Sequence, residues 1–310
     1  MIPTTFPKIN ISVNTKVVKT YFRNCLLFGL LSIFVLNASA QYQSLCWQIS
    51  GNGLKASSYI FGTMHVSDKR VFNFGDKTTQ AFAGSKAYAM ELDPEKAMSL
   101  STLTKMMMTG SNTISKLIPD SDYHFLDSIV TLTSGVGMVM FDKMEPIIVS
   151  AILDEFGMGV SNADTANMEE EMDLYFYKKA QKAKKKVIGI ETVDEQISAL
   201  HALDYKEQAD LLIQSIEDLK KGTENSDADL MKYYLAQNLD SLFAMSDEQQ
   251  MPPKLYKAMI TDRNIRMADR IAVFIQKQPT FIAIGALHLP GAGGVIDQLR
   301  KKGYMVEAWR

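Results

Sequence analysis

The chain has 310 residues, with 33 basic and 35 acidic side chains, a formal net charge of −2 and two cysteines. A mildly acidic chain lacks the basic face that phosphate binding requires, so nucleic acid is excluded as its partner. Cys25 lies in a leader-like segment and Cys46 is left without an internal disulfide partner; the fold must therefore rest on an ordinary core, with Cys46 a small buried apolar residue in it.

The first forty residues read as a secretory signal peptide. Lys8, Lys16, Lys19 and Arg23 precede an apolar run at 26–36, and Ala38-Ser39-Ala40 supplies a small-x-small cleavage site. The run falls short of the ~20 apolar residues that span a bilayer, and Cys25 precedes it, so neither a stable membrane span after cleavage nor a lipid attachment site is expected. Setting the four basic residues aside leaves 29 basic against 35 acidic. The remaining stretch, 41–310, suffices for one domain or two small lobes, exported to the periplasm or secreted.

Beyond the leader, residues 58–61 read as a strand ending in Gly62-Thr63-Met64-His65, and a helix is expected over 78–83. Residues 87–92 form a second short strand, on which alternation puts Ala87, Ala89 and Glu91 on one face. Small residues leading to a carboxylate suit a strand whose end opens into a cleft. From about 95 to 250 the pattern is mostly helical, with Met172, Tyr175, Phe176 and Lys179 recurring at helical spacing on a helix over 168–183. Lys182 and Lys184 to Lys186 lack interleaved aromatics and read as a solvated helix end. A third strand at 187–191 ends on Glu191, and further helices fill 193–203, 205–221, 228–245 and 252–276. A fourth strand at 280–284 leads into Gly285-Ala286-Leu287-His288, followed by a helix at 295–302 and a closing strand at 304–309. These elements predict a mixed α/β (α+β) layer fold: a short-stranded central sheet with paired strand-GxxH units and a large helical insertion, about 95–250.

One internal similarity carries the chemistry. Tyr59-Ile60-Phe61-Gly62-Thr63-Met64-His65-Val66 overlays Ile282-Ala283-Ile284-Gly285-Ala286-Leu287-His288-Leu289. Two of only four histidines thus occupy the same local frame. Glycine permits a sharp turn at the strand end, and the imidazole is delivered beyond the sheet edge, where sites of α/β sheets gather. No His-Glu-x-x-His and no Cys/His cluster is present, so any metal would be held by residues distant in sequence. His124 and His201 sit in polar helical surroundings and read as surface residues, and the 19 methionines read as core and groove packing.

Trp47-Gln48-Ile49, the Gly62 and Gly285 motifs, Met90-Glu91-Leu92-Asp93, Glu171-Met172-Asp173, Val187-Ile188-Gly189-Ile190-Glu191-Thr192, Glu195-Gln196 and Arg263-Asn264 together resemble the TraB/GumN family over roughly 47–306. That family is similar to the Tiki proteases, described as metal-dependent peptidases, and more distantly to the erythromycin esterases. The resemblance implies a site of His65, Glu91, Arg263 and His288. His65, Glu91 and His288 would hold a divalent ion (manganese, cobalt or zinc) with a water in an open position, and Arg263 would stabilise the developing oxyanion. Without the resemblance, Arg263 on a helix with Arg266, Asp269 and Arg270 reads as ordinary exposed charge. Glu191, Asn264 and Asp93 are outer candidates.

The implied activity is that of an exported hydrolase, a metal-dependent peptidase or amidase acting on a peptide or other small carbonyl-containing substrate. Two alternatives stand beside it. In a metal-independent, esterase-like hydrolase, a histidine acts as general base on water and Glu91 orients it. In a non-catalytic peptide-binding or regulatory protein, the fold captures a peptide without turning it over. Retention of both histidines with Glu91 and Arg263 favours the enzyme.

Overall fold

A computed structural model describes residues 42–310 except 65, 67, 98, 161–171, 222–224 and 246–250. The leader assigned to 1–40 therefore lies outside the described residues, as do His65 and Glu171.

Among the described residues, the strands are β1 (Cys46–Ser50), β2 (Ser58–Thr63), β3 (Ala87–Met90), β4 (Lys186–Gly189), β5 (Thr280–Gly285) and β6 (Met305–Ala308). They form one mixed sheet in the order β4-β3-β5-β2-β1-β6. The first four in that order run parallel, and β1 is antiparallel to both β2 and β6. The mixed α/β class expected from the sequence is the class observed. β1 was not among the expected strands. With Gln48 and Ser50 in five residues, its periodicity is too brief to register, and its status rests on pairing with β2 on one side and the distant β6 on the other. The local signal for it is the Gly51-Asn52-Gly53 turn, where all three residues have positive φ (76°, 45° and 78°).

The principal helices are α1 (Gly75–Gly84), α2 (Asp120–Ser134), α3 (Pro146–Val160), α4 (Met172–Lys182), α5 (Val193–Leu200), α6 (Tyr205–Lys221), α7 (Asn225–Leu235), α8 (Leu239–Met245), α9 (Asp262–Ile275) and α10 (Val295–Lys301). The single helix expected over 228–245 is broken between α7 and α8, because Gln237 adopts φ +55° and the Asn238 side chain accepts from Ser241 N–H at 3.0 Å to start a new helix. The long helix expected over 252–276 is also modulated. A π-helical turn, Lys257–Thr261, lies between its first turn and α9. Such turns shift the phase of the residues that follow.

Two hydrophobic clusters hold these elements. Phe61, Tyr88 and Phe281 of the sheet meet Phe82 of α1 and Phe176 of α4, with Phe176–Phe281 centroids 5.2 Å apart. The same cluster takes the stripe Met267, Ala268, Ile271 and Ile275 of α9. Within the insertion expected over about 95–250, the helices around 114–153 and 205–221 build a core of their own from Ile114, Leu126, Val130, Met138, Leu153, Leu212 and Ile216, whereas β4 and α4 of the same stretch join the sheet and its cluster. Cys46 is 2% exposed, and burial pushes its thiol up to about 12; it is an inert packing residue, as expected. Among the described residues no helix is long and apolar enough to cross a membrane.

The structure changes the account of the two motif glycines. Gly62 pairs with Ile284 and Gly285 with Thr63, so the strands lie side by side but one residue out of the frame in which their sequences overlay. Neither glycine has positive φ. Their requirement is space, not a turn. A Cβ on Gly62 would stand 3.0 Å from both Ala286 Cα and Leu289 Cδ1, and one on Gly285 would stand 3.3 Å from a Glu91 carboxylate oxygen. Gly62→Ala should cost about 1–3 kcal/mol through overpacking, read as a lower urea midpoint with an unchanged slope.

Candidate active site

All four parallel strands end on one edge of the sheet, and three of the ends deliver described chemistry. Glu91 follows β3 directly, Glu191 lies two residues past β4, and His288 closes the short turn Ala286–His288 that leaves β5. His65 comes two residues after β2 in the sequence and lies outside the described residues. Strand ends of this kind are where α/β sheets place their ligands.

Glu91 is held from two sides. Its Oε1 accepts from the Gly285 backbone N–H at 2.7 Å, and its Oε2 accepts from Arg263 Nη2 at 2.6 Å. The absence of a Cβ at Gly285 lets the carboxylate approach β5 this closely. His288 Nε2 stands 3.9 Å from Glu91 Oε1. Its Nδ1 lies 2.7 Å from Asn264 Oδ1. Three of the four residues expected at the site (Glu91, Arg263 and His288) therefore converge.

Arg263 is buried, not exposed as charge on that helix alone would suggest. Its side chain is 6% exposed and touches two carboxylates at once. Nε and Nη2 both donate to Glu191 Oε2, at 2.9 and 2.7 Å, while Nη1 donates to the Met259 carbonyl at 3.3 Å within the π-helical turn. Burial disfavours its charge, but Glu91 and Glu191 outweigh that and hold the guanidinium above its usual range. Four of its hydrogen bonds thus go to the protein, two to Glu191, one to Glu91 and one to the Met259 carbonyl, so Arg263 bridges the two carboxylates. Glu191 is fully buried and also accepts from Arg266 Nη2 at 3.2 Å and Gln196 Nε2 at 3.2 Å.

The cluster continues down α9. Arg270 donates to both oxygens of Glu195, at 2.8 and 2.6 Å, and to the Ile190 carbonyl. Glu195 completes a capping box with Thr192 at the start of α5. Arg263, Arg266 and Arg270 stand at i, i+3 and i+7, one face of a helix, and meet Glu91, Glu191 and Glu195. Sequence reasoning left Arg266 and Arg270 as surface charge. Their helical spacing, matched by the i, i+4 spacing of Glu191 and Glu195, was the available signal. Asp93, another outer candidate, caps the turn after β3 by accepting from Glu95 N–H at 3.2 Å. His201, expected as a surface residue, is exposed but sits 2.6 Å from the buried Glu145, inside the insertion and away from this cluster. His124 is exposed.

The TraB/PrgY/gumN family model matches residues 45–308. The chain belongs to the TraB/PrgY/gumN family. Metalloprotease TIKI2 of Danio rerio is 25% identical to it, over 85% of this chain and 60% of that protein. Metalloprotease TIKI1 of Homo sapiens is 26% identical, over 86% and 62% respectively. An uncharacterized protein of Treponema pallidum (strain Nichols) is 22% identical, over 84% and 81%. This TraB/PrgY/gumN chain spans about three-fifths of the length of the TIKI relatives. No solved structure matches it.

Two outcomes follow from the charge cluster. Removing Arg263 takes the two shortest charged hydrogen bonds from the buried Glu191 and leaves it only Arg266 as a cation, so Arg263→Ala should lose about 3 kcal/mol, while Arg263→Met combined with Glu191→Leu should recover much of that loss; paired urea melts measure both. Hydrogen bonding from Arg270 lowers the Glu195 carboxyl from 4.5 to about 2. A depressed carboxyl contributes stability above its unfolded value and loses it as pH falls toward its folded one. Glu195→Gln should therefore flatten the acid loss of stability between 4.5 and about 2, in a series of thermal melts.

Proposed function

We propose that this chain is a metal-dependent hydrolase of the peptidase or amidase type, acting outside the cytoplasm on peptides or other small carbonyl-containing substrates. The observation that carries the reading is the convergence of Glu91 and His288 at the carboxyl edge of the parallel strands, with Arg263 buried behind the carboxylate. The TIKI relatives, named metalloproteases, point the same way.

The donor set fits a divalent ion. Imidazole nitrogen and carboxylate oxygen are both ligands of zinc, cobalt and manganese. A separation of 3.9 Å between His288 Nε2 and Glu91 Oε1 lets both reach one ion at bonds of ~2 Å with little adjustment. A carboxylate oxygen has two lone pairs, so acceptance from Gly285 is compatible with ligation. Among the described residues no group of three or more His, Cys, Asp or Glu could hold a metal; in this proposal His65 supplies the third ligand beside Glu91 and His288. When bound, the ion supplies a Lewis acid and a water of lowered pKa.

The protein's own part is preorganisation. Arg263 holds one oxygen of Glu91, the Gly285 N–H fixes the other, and the short turn after β5 holds His288 at the same mouth. In this reading Arg263 contributes positive potential at the site through Glu91, more than as a direct oxyanion donor. A second reading has support from the same geometry. A histidine with Nδ1 engaged by Asn264 and Nε2 toward the mouth is also arranged as a general base for a metal-free hydrolase. Residues 1–40 are proposed as the leader that exports residues 41–310; N-terminal sequencing of exported protein should begin at Gln41.

Calorimetric titration with manganese, cobalt and zinc separates the two readings. Stoichiometric binding is expected, weakened at least about tenfold in His65→Ala, Glu91→Gln and His288→Ala without loss of the folded circular-dichroism spectrum. No binding of any of these ions by the wild type would overturn the metal reading and bring the histidine base forward. Stoichiometric binding without cleavage of any peptide library would instead mark a peptide-capturing protein.

A further inference from the structure

Asn264 sits one residue beyond Arg263 in the first turn of α9, 2% exposed. Its carboxamide has two partners of opposite character. Nδ2 donates to the Gly293 carbonyl at 3.0 Å, and Oδ1 faces His288 Nδ1 at 2.7 Å. A carbonyl only accepts, so the amide cannot be flipped without setting oxygen against oxygen at Gly293. That fixes Oδ1 toward the imidazole. Oδ1 also only accepts, so His288 Nδ1 must carry the proton. In the neutral ring the other nitrogen, Nε2, is then the unprotonated one, and it is Nε2 that stands on the Glu91 side.

We infer that Asn264 is a positioning residue that sets the tautomer of His288, making Nε2 the metal-binding or proton-accepting nitrogen of this site. The inference rests on the reading of the site given above, but only for its consequence; the tautomer itself follows from hydrogen-bond geometry. A carboxamide suits the task. It accepts from Nδ1–H without competing for the proton, and its other arm ties down the segment Gly291–Gly294, where the chain turns tightly: Gly294 N–H donates to the Gly291 carbonyl at 3.0 Å and a Cβ on Gly294 would meet the Pro290 carbonyl oxygen at 2.1 Å. One helix thus orients both halves of the site: Arg263 aims Glu91 and Asn264 aims His288.

The test is nitrogen-15 NMR of the imidazoles in the metal-free full chain at about pH 8, where an ordinary histidine is neutral, with His288 assigned by the signal lost in His288→Gln. The expected result is a protonated Nδ1 and an unprotonated Nε2. A protonated Nε2 in the wild type overturns the inference, whether or not any variant folds. Asn264→Leu removes both arms and should shift His288 toward the Nε2–H form; an unchanged tautomer in a folded Asn264→Leu chain would also overturn it. Asn264→Asp keeps the acceptor for His288 but sets a carboxylate against the Gly293 carbonyl, so it should keep the Nδ1–H form while lowering stability. A residue serving only as a clasp would not make that distinction. In cobalt titrations, followed by the visible absorption of the ion, Asn264→Leu should bind 10–100-fold more weakly than wild type. Failure of the wild type to bind cobalt would count against the metal reading alone and leave the tautomer to the NMR result.

Discussion

The rest of this structure depends on a charge that is neither exposed nor isolated. Arg263 lies between Glu91 and Glu191, and Glu191 is fully buried. Ions removed from water are costly unless paired and fully hydrogen-bonded, and here each is satisfied by several partners. The pairing ties three elements that are far apart in sequence: the end of β3, the end of β4 and the start of α9. Further along the same helix face, Arg266 and Arg270 repeat the arrangement with Glu191 and Glu195. Three arginines meet three glutamates, so formal charges of opposite sign balance within the cluster. Such networks hold geometry more than they add stability, and geometry is what a site needs.

The division of labour is between sheet and helix. The parallel strands bring Glu91 and His288 to one edge, which fixes where the chemistry can occur. α9 then fixes how those groups point. The π-helical turn before it leaves the Met259 carbonyl in place to accept from Arg263 Nη1, so the irregularity in the helix is part of the support for the guanidinium. Neither contribution suffices alone. Strand ends without α9 would leave Glu91 next to the buried Glu191 with no cation between them.

The sequence makes the strands around Gly62, Glu91, Glu191 and Gly285 legible, because short apolar runs ending on glycine or a carboxylate have few other meanings. It also exposes the pairing of the two Gly-x-x-His frames, and β2 and β5 are indeed neighbours. The overlay of like with like says nothing of register, and the rungs run one residue out of that frame. β1 escapes because a five-residue strand with polar residues at Gln48 and Ser50 carries little periodic signal; its pairings with β2 and with the distant β6 make it a strand. Arg263 was legible through resemblance alone. Charge on a helix is normally solvated, and the helical spacing of the three arginines does not by itself tell that Arg263 turns inward against two glutamates. Asn264 is harder still, because a carboxamide's role is visible only once both of its partners are in place.

The order of the sheet has a consequence for how the chain comes to be folded. β5 is fifth in the sequence yet lies between β3 and β2, so those two early strands wait with their facing edges unmatched until the last part of the chain arrives. The outer strand closes later still, with Ala308 across from Trp47. Pairings between such distant segments are slow to form, and open strand edges in the meantime invite association with other chains. The same delay has a use. A polypeptide that cannot close its sheet until its final strands are available remains threadable for as long as it is incomplete, the condition that passage through a membrane pore imposes on a protein exported as proposed above.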